Sequence, residues 1–262
     1  MPVEPFGSMR LSAKIPADLP QEVRETLRGC AKDIVRLYAS TLESLILYGS
    51  AARGEFLSER SNLNLLIVLA NHDVNLLERY AKIHRRWSAE KIVIPLFLTE
   101  KEIRMSQRLF PLEYLEIQEH HVLLAGHDLF TGLCIERENL AVQCAREIAG
   151  NLMRLRQRCV EGGGKPEAFA VLLPLSLTSL LPCLRGVYRV GKLSVPPSTE
   201  ALLHDLSPQF GIDGTVFGEV WDLKRGVMTP GPAELPRLFE RYVTSLQNLS
   251  EWVDHKSLQP RS

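Results

Sequence analysis

The sequence predicts an α/β half followed by an all-α helical bundle, and three observations carry that division. Between Leu45 and Leu69 two apolar strands bracket an abrupt Gly49-Ser50 turn. Further helical and strand-like stretches alternate as far as Gly132. From about Glu136 onward the spacing of apolar residues is helical throughout, with linkers rich in Gly and Pro at Gly162–Pro166, Ser194–Ser198 and Pro230–Ala233. The 262 residues are enough for two cores. The expected boundaries are a flexible lead-in over residues 1–18, an α/β domain over 19–132 and a bundle over 133–262.

Taken in order, residues from Leu19 to Thr41 place Val23, Leu27, Ile34, Leu37 and Tyr38 at helical spacing, with Pro20 near the start. The strand Leu45–Tyr48 follows, then the turn, a short helix expected around Ala51–Phe56, and a strand over Asn62–Leu69. Side chains alternate along a strand, so Asn62, Asn64, Leu66 and Val68 share one face. Asp73 is placed to cap a helix reaching about Ala89. Lys91–Leu98 reads as a strand that Pro95 confines to an edge or a bulge. Thr99 and Glu102 form a capping box for a short helix. Leu112–Ile117 and Val122–Ala125 read as two short strands, or as one strand and a helical turn. Beyond Glu136 the expected helices are Leu140–Val160, Glu167–Val190, Thr199–Leu206 (with Ser198 as N-cap), Asp213–Arg225 and Ala233–Asp254.

Bulk chemistry narrows the function classes. Hydrophobic residues make up 45% and charged residues 24%, the balance of a soluble globular protein. Formal net charge is zero, which argues against nucleic acid as the principal partner. Five cysteines with no C-x-x-C pair read as reduced thiols of a cytoplasmic protein. The N-terminus lacks the charged-then-apolar pattern of a signal peptide. Ala168–Leu184 is seventeen residues without a charge, at the lower edge of a membrane span. Its two prolines and three hydroxyl residues favour a buried bundle helix or part of an interface between copies.

The stretch Gly49-Ser50, followed after A-A-R-G by a polar-apolar-polar triplet at the head of a second strand, resembles the signature of the polymerase β-like nucleotidyltransferases. L-F-P-L-E-Y-L-E-I at Leu109–Ile117, with H-H-V-L-L-A-G-H-D-L-F after it, is similar to a passage in bacterial nucleotidyltransferase-like proteins with helical C-terminal halves. The resemblance implies a mixed sheet and a phosphate-facing turn, with Gly49, Ser50 and Arg53 as nucleotide- or phosphate-binding residues. It also implies two divalent metal ions held by strand carboxylates. Here both carboxylate positions are Asn, Asn62 and Asn64, whose neutral amides lack the charge that Mg²⁺ requires of its ligands. On the strand expected to carry a third acid stand Ile94 and Pro95, and Glu113 or Glu116 are the nearest acids downstream. The chain therefore reads as a catalytically impaired member acting in nucleotide binding, regulation or scaffolding. The alternative is an active enzyme that uses Mg²⁺ and a nucleoside triphosphate, with Glu113 or Glu116 and non-standard ligands, to transfer a nucleoside monophosphate to a small molecule or protein. Candidate partners are a nucleotide, another protein or a second copy of the chain, with no membrane.

Other clusters weigh less. His120, His121, His127 and Asp128 match no ligand spacing and read as a loop at a strand end. Glu55, Glu59 and Asp73 read as a solvated face rather than replacement ligands. Arg79 and His84 have the R-x4-H spacing of helical ribonucleases, but on a helix that packs on a sheet. Lys82, Arg85 and Arg86 form a small basic face on the same helix.

Overall fold

The computed structural model describes residues 11, 15–56, 61–71 and 73–257. It divides into two compact units, Met1–Gln107 with Glu113–Cys134, and Arg108–Leu112 with Ile135–Ser262.

The first unit is a four-stranded sheet in the order β3-β2-β1-β4. Strand β1 (Leu42–Tyr48) is central and pairs antiparallel with β2 (Asn64–Leu69) and with β4 (His121–Gly126). Strand β3 (Leu96–Leu98) runs parallel to β2, so the sheet is mixed. A parallel pair needs a crossover, and helix α2 (Val74–Ser88) supplies it. Its N-cap is Asp73, whose side chain accepts from the Leu76 N–H at 3.0 Å.

Helix α1 (Gln21–Tyr38) buries Leu27, Cys30, Ala31, Ile34 and Tyr38, the stripe that the 3.6-residue period dictates. Together with Leu76, Tyr80 and Trp87 of α2, these residues cover Leu45 and Leu47 of β1 and Leu63, Leu65, Ile67 and Leu69 on and beside β2. The opposite register of β2 carries Asn64, Leu66 and Val68, and Leu66 and Val68 are also fully buried. Most of the expected lead-in lies outside the described residues, but Leu11 bridges to Ala125, and Leu11 and Ile15 pack against the core.

Several expectations are corrected. Residues 51–54 form consecutive turns rather than a short helix. Asn62 lies outside β2, which begins at Asn64 after an isolated bridge between Leu63 and Ile92. The Lys91–Leu98 run is strand only over Leu96–Leu98, with Pro95 directly before it and Ile94 72% exposed, as suits an edge. Leu112–Ile117 belongs to helix α4 (Pro111–Glu119). A short apolar run cannot decide between strand and helix by itself, whereas Pro111 at the first helical position is pre-set for a helix. The capping box at Thr99 is present and starts α3 (Glu100–Ser106).

The second unit is helical. Helices α5 (Arg137–Glu161) and α6 (Pro166–Val190) pack together, with α10 (Leu235–Ser257) against both. Helix α9 (Thr215–Arg225) packs on α6 and on α7 (Thr199–His204). The single helix expected over Thr199–Leu206 breaks at Asp205, and α8 (Leu206–Phe210) follows, ending at Gly211 with φ +66°. By length and composition α6 is apolar enough to cross a membrane, yet twelve of its residues are buried in this bundle. Asn151 of α5, Ser176 of α6 and Tyr242 of α10 form a buried chain of hydrogen bonds, 2.6 Å from Ser176 Oγ to Asn151 Oδ1 and 3.0 Å between the two hydroxyls. All five cysteines are free thiols.

Candidate functional site

Strand β1 ends at Tyr48, and the chain reverses at Gly49 with φ +80°, a conformation that favours a residue without a Cβ. The Gly49 carbonyl accepts from the N–H groups of Ala52 at 3.0 Å and Arg53 at 3.1 Å, and the Glu55 N–H returns to the Ser50 carbonyl at 2.9 Å. These bonds wind residues 49–55 into a compact turn that presents Arg53 beside it. Asn64 stands opposite Tyr48 in the ladder, and its side chain lies across the turn. A Cβ on Gly49 would fall 2.6 Å from Asn64 Nδ2. The carboxamide thus occupies the space against the turn where the resemblance expects an anion.

Arg53 is the best-anchored side chain of the site. Its Nε donates to Glu55 Oε2 at 3.1 Å and its Nη1 donates to Glu116 Oε2 at 2.8 Å. Glu116 comes from α4, sixty-three residues along the chain, and only 14% of its side chain is exposed. Its second oxygen, Oε1, is buried without a hydrogen-bond partner. One guanidinium faces two carboxylates. Tyr48 joins the same cross-strand row, with Asn64 on one side and His121 on the other. Burial raises its phenol above the ordinary value. His121 Nδ1 donates to the Ile117 carbonyl at 2.7 Å, tying β4 to the end of α4.

The predicted residues therefore separate. Gly49, Ser50, Arg53, Asn64 and Glu116 meet at the turn. Asn62 is exposed and off the strand, and Glu113 is exposed on α4 while Glu116 makes the contact to Arg53. Glu55 is a partner of Arg53, Asp73 is a helix cap, and Glu59 lies outside the described residues. Among the described residues no group of three or more His, Cys, Asp or Glu side chains is arranged to hold a metal ion.

Asp128 and His121 of the histidine cluster bind within the fold. Asp128 accepts from the backbone N–H groups of Phe130 at 2.8 Å and Thr131 at 3.1 Å and from the Thr131 hydroxyl, and it lies 3.3 Å from His121 Nε2. Burial raises the Asp128 carboxyl, but the Thr131 hydroxyl and the two backbone donors outweigh it and leave the group below its ordinary value. Arg79 donates to the Leu37 carbonyl and lies over the Tyr38 ring, while His84 packs beside Tyr80. Arg86 lies over Trp87 at 4.4 Å and pairs with Asp33.

Sequence reasoning missed Tyr48 and the pairing of Glu116 with Arg53. Tyr48 was legible as the residue directly before the Gly-Ser turn. The pairing has no local signal, because its two members belong to separate elements.

The mixed sheet, the Gly-Ser turn after its central strand and the helical second unit define a nucleotidyltransferase-like fold. Among solved structures the chain is similar to spectinomycin adenyltransferase AAD(9) from Enterococcus faecialis, solved with ATP and spectinomycin. The two share 11% identity at a TM-score of 0.53, over 86% of this chain and 99% of that one. No protein-family model and no curated protein matches the chain.

Proposed function

We propose that this protein is a soluble nucleotidyltransferase-fold protein that has lost two-metal transfer and retains a nucleotide site at the Gly49–Ser50 turn. The carrying observation is Asn64. Its neutral carboxamide rests on Gly49, where a transferase of this type needs an anion to hold a divalent cation. Glu116, the acid that does reach the turn, is engaged by Arg53. What persists is a tight glycine turn, the Ser50 hydroxyl and an anchored guanidinium, which are groups suited to phosphate oxygens. The fold shared with an adenyltransferase solved with ATP supports a nucleotide as the ligand class. A regulatory or scaffolding role follows from binding without turnover.

One observation favours the rival reading of an active transferase: Glu116 lies beside the turn with one oxygen unpaired. Calorimetric titration with ATP, GTP, CTP and UTP, with and without Mg²⁺ or Mn²⁺, separates the two. The proposed function predicts metal-independent binding that Ser50→Ala weakens and no pyrophosphate release. Metal-dependent binding with pyrophosphate release establishes the enzyme instead. Restoring charge with Asn64→Asp and Asn62→Asp should raise Mn²⁺ affinity at least roughly tenfold, mostly through position 64 because Asn62 is off the strand. No gain from Asn64→Asp would mean that this side chain does not face the ligand.

A further inference from the structure

Resting on the nucleotide-binding reading, we propose that Glu116 is a displaceable occupant of the phosphate position on Arg53, and that it selects a nucleoside polyphosphate over a monophosphate. The geometry divides the guanidinium into two edges. Glu55 holds Nε, and Glu116 takes Nη1. When Glu116 leaves, Glu55 keeps the arginine in place and the Nη1–Nη2 edge becomes a two-donor fork, the geometry that a phosphate accepts. Glu116 is suited to leaving because only one of its oxygens is bonded; Oε1 has no partner to lose.

Selectivity follows from occupancy. Glu116 covers the Nη1 edge of Arg53, so an incoming phosphate finds no open fork there until Glu116 withdraws. A polyphosphate can rest one phosphate on the Gly49–Ser50 turn and use another to displace the carboxylate. A monophosphate has to break the Arg53–Glu116 contact with the same group that it offers to the turn. No metal ion enters this exchange, since Arg53 supplies the positive charge.

The test is calorimetry in EDTA with ATP, AMP and inorganic tripolyphosphate as probes. Wild-type protein should bind ATP and tripolyphosphate, with AMP weaker by tenfold or more. Glu116→Gln should tighten ATP by about tenfold, the scale of one charge-assisted contact, and should narrow the preference over AMP. Glu116→Ala should do the same, which guards against a new glutamine contact. Arg53→Gln should abolish binding of all three. Glu113→Gln removes a charge from an exposed side chain one turn away on the same helix, and should leave the ATP preference intact. If Glu113→Gln tightens ATP as much as Glu116→Gln does, the effect is general charge and the occupant idea falls. It falls as well if both Glu116 variants, folded by circular dichroism, bind ATP and AMP as wild type does; nucleotide binding then still stands. If no protein in the series binds ATP or tripolyphosphate, the nucleotide reading falls with it.

Discussion

Replacing Gly49 with Ala perturbs the site at its tightest point, and two terms set the cost. At φ +80° a residue with a Cβ is strained by about 1–2 kcal/mol. The new methyl also falls 2.6 Å from Asn64 Nδ2, so the carboxamide must leave its rotamer, adding about 0.5–1.5 kcal/mol. Gly132 provides the control, because its φ is +93° and a Cβ there meets nothing within 4 Å. Gly132→Ala should therefore report backbone strain alone, and Gly49→Ala should exceed it by about 1 kcal/mol. Urea denaturation measures both through the midpoint at constant m-value. In an Asn64→Ala background the excess should vanish, since Asn64 Cβ lies at an ordinary 3.9 Å. If Gly49→Ala costs no more than Gly132→Ala, or if the excess survives Asn64→Ala, then Asn64 does not lie on the turn and the site as described is wrong.

Other expectations concern stability. Ser176 Oγ donates to Asn151 Oδ1, so the fully buried Tyr242 hydroxyl is the donor to Ser176. Tyr242→Phe should cost about 1–2 kcal/mol in a urea titration, and an unchanged midpoint would mean that this chain of bonds contributes nothing. Hydrogen bonds from Thr215 and then Arg241 hold the Asp213 carboxyl below its ordinary value, and the Trp221 indole N–H, then the Glu200 backbone N–H and the charge of Arg225, do the same for Glu200. Because both folded values are depressed, their stabilisation is present above the unfolded carboxylate value of about 4 and is lost as pH falls below it. The urea midpoint should thus stay level near neutrality and decline in acid. Thr215→Val should shallow that decline, and an equally steep decline in the variant would refute the assignment for Asp213.

Much of the fold was legible because its signals are local. Periodicity located α1, α2 and the long helices of the second unit, and the side chains of Asp73, Thr99 and Ser198 mark starts where each accepts from its own helix. The misread segments lacked such a signal. Residues 51–54, A-A-R-G, suit a helix or a turn equally, and backbone bonds to Gly49 and Ser50 settled the matter. Leu109–Ile117 is apolar on too many positions for period alone to decide. The Thr199–Leu206 run hid a break at Asp205.

At the candidate site the same division holds. The sequence alone placed a glycine turn at the end of a strand, put Asn64 on the face opposite Leu63 and Leu65, and removed the charge that a metal needs. Those facts follow from the two-residue period of a strand and from the identity of one side chain. Only the tertiary structure chose Glu116 over Glu113, joined it to Arg53 across sixty-three residues, and took Asn62 off the strand. Such a contact depends on how α4 and the turn come together beside the sheet. No window of sequence carries that information, because the energy that fixes it comes from the packing of the elements rather than from the residues that meet.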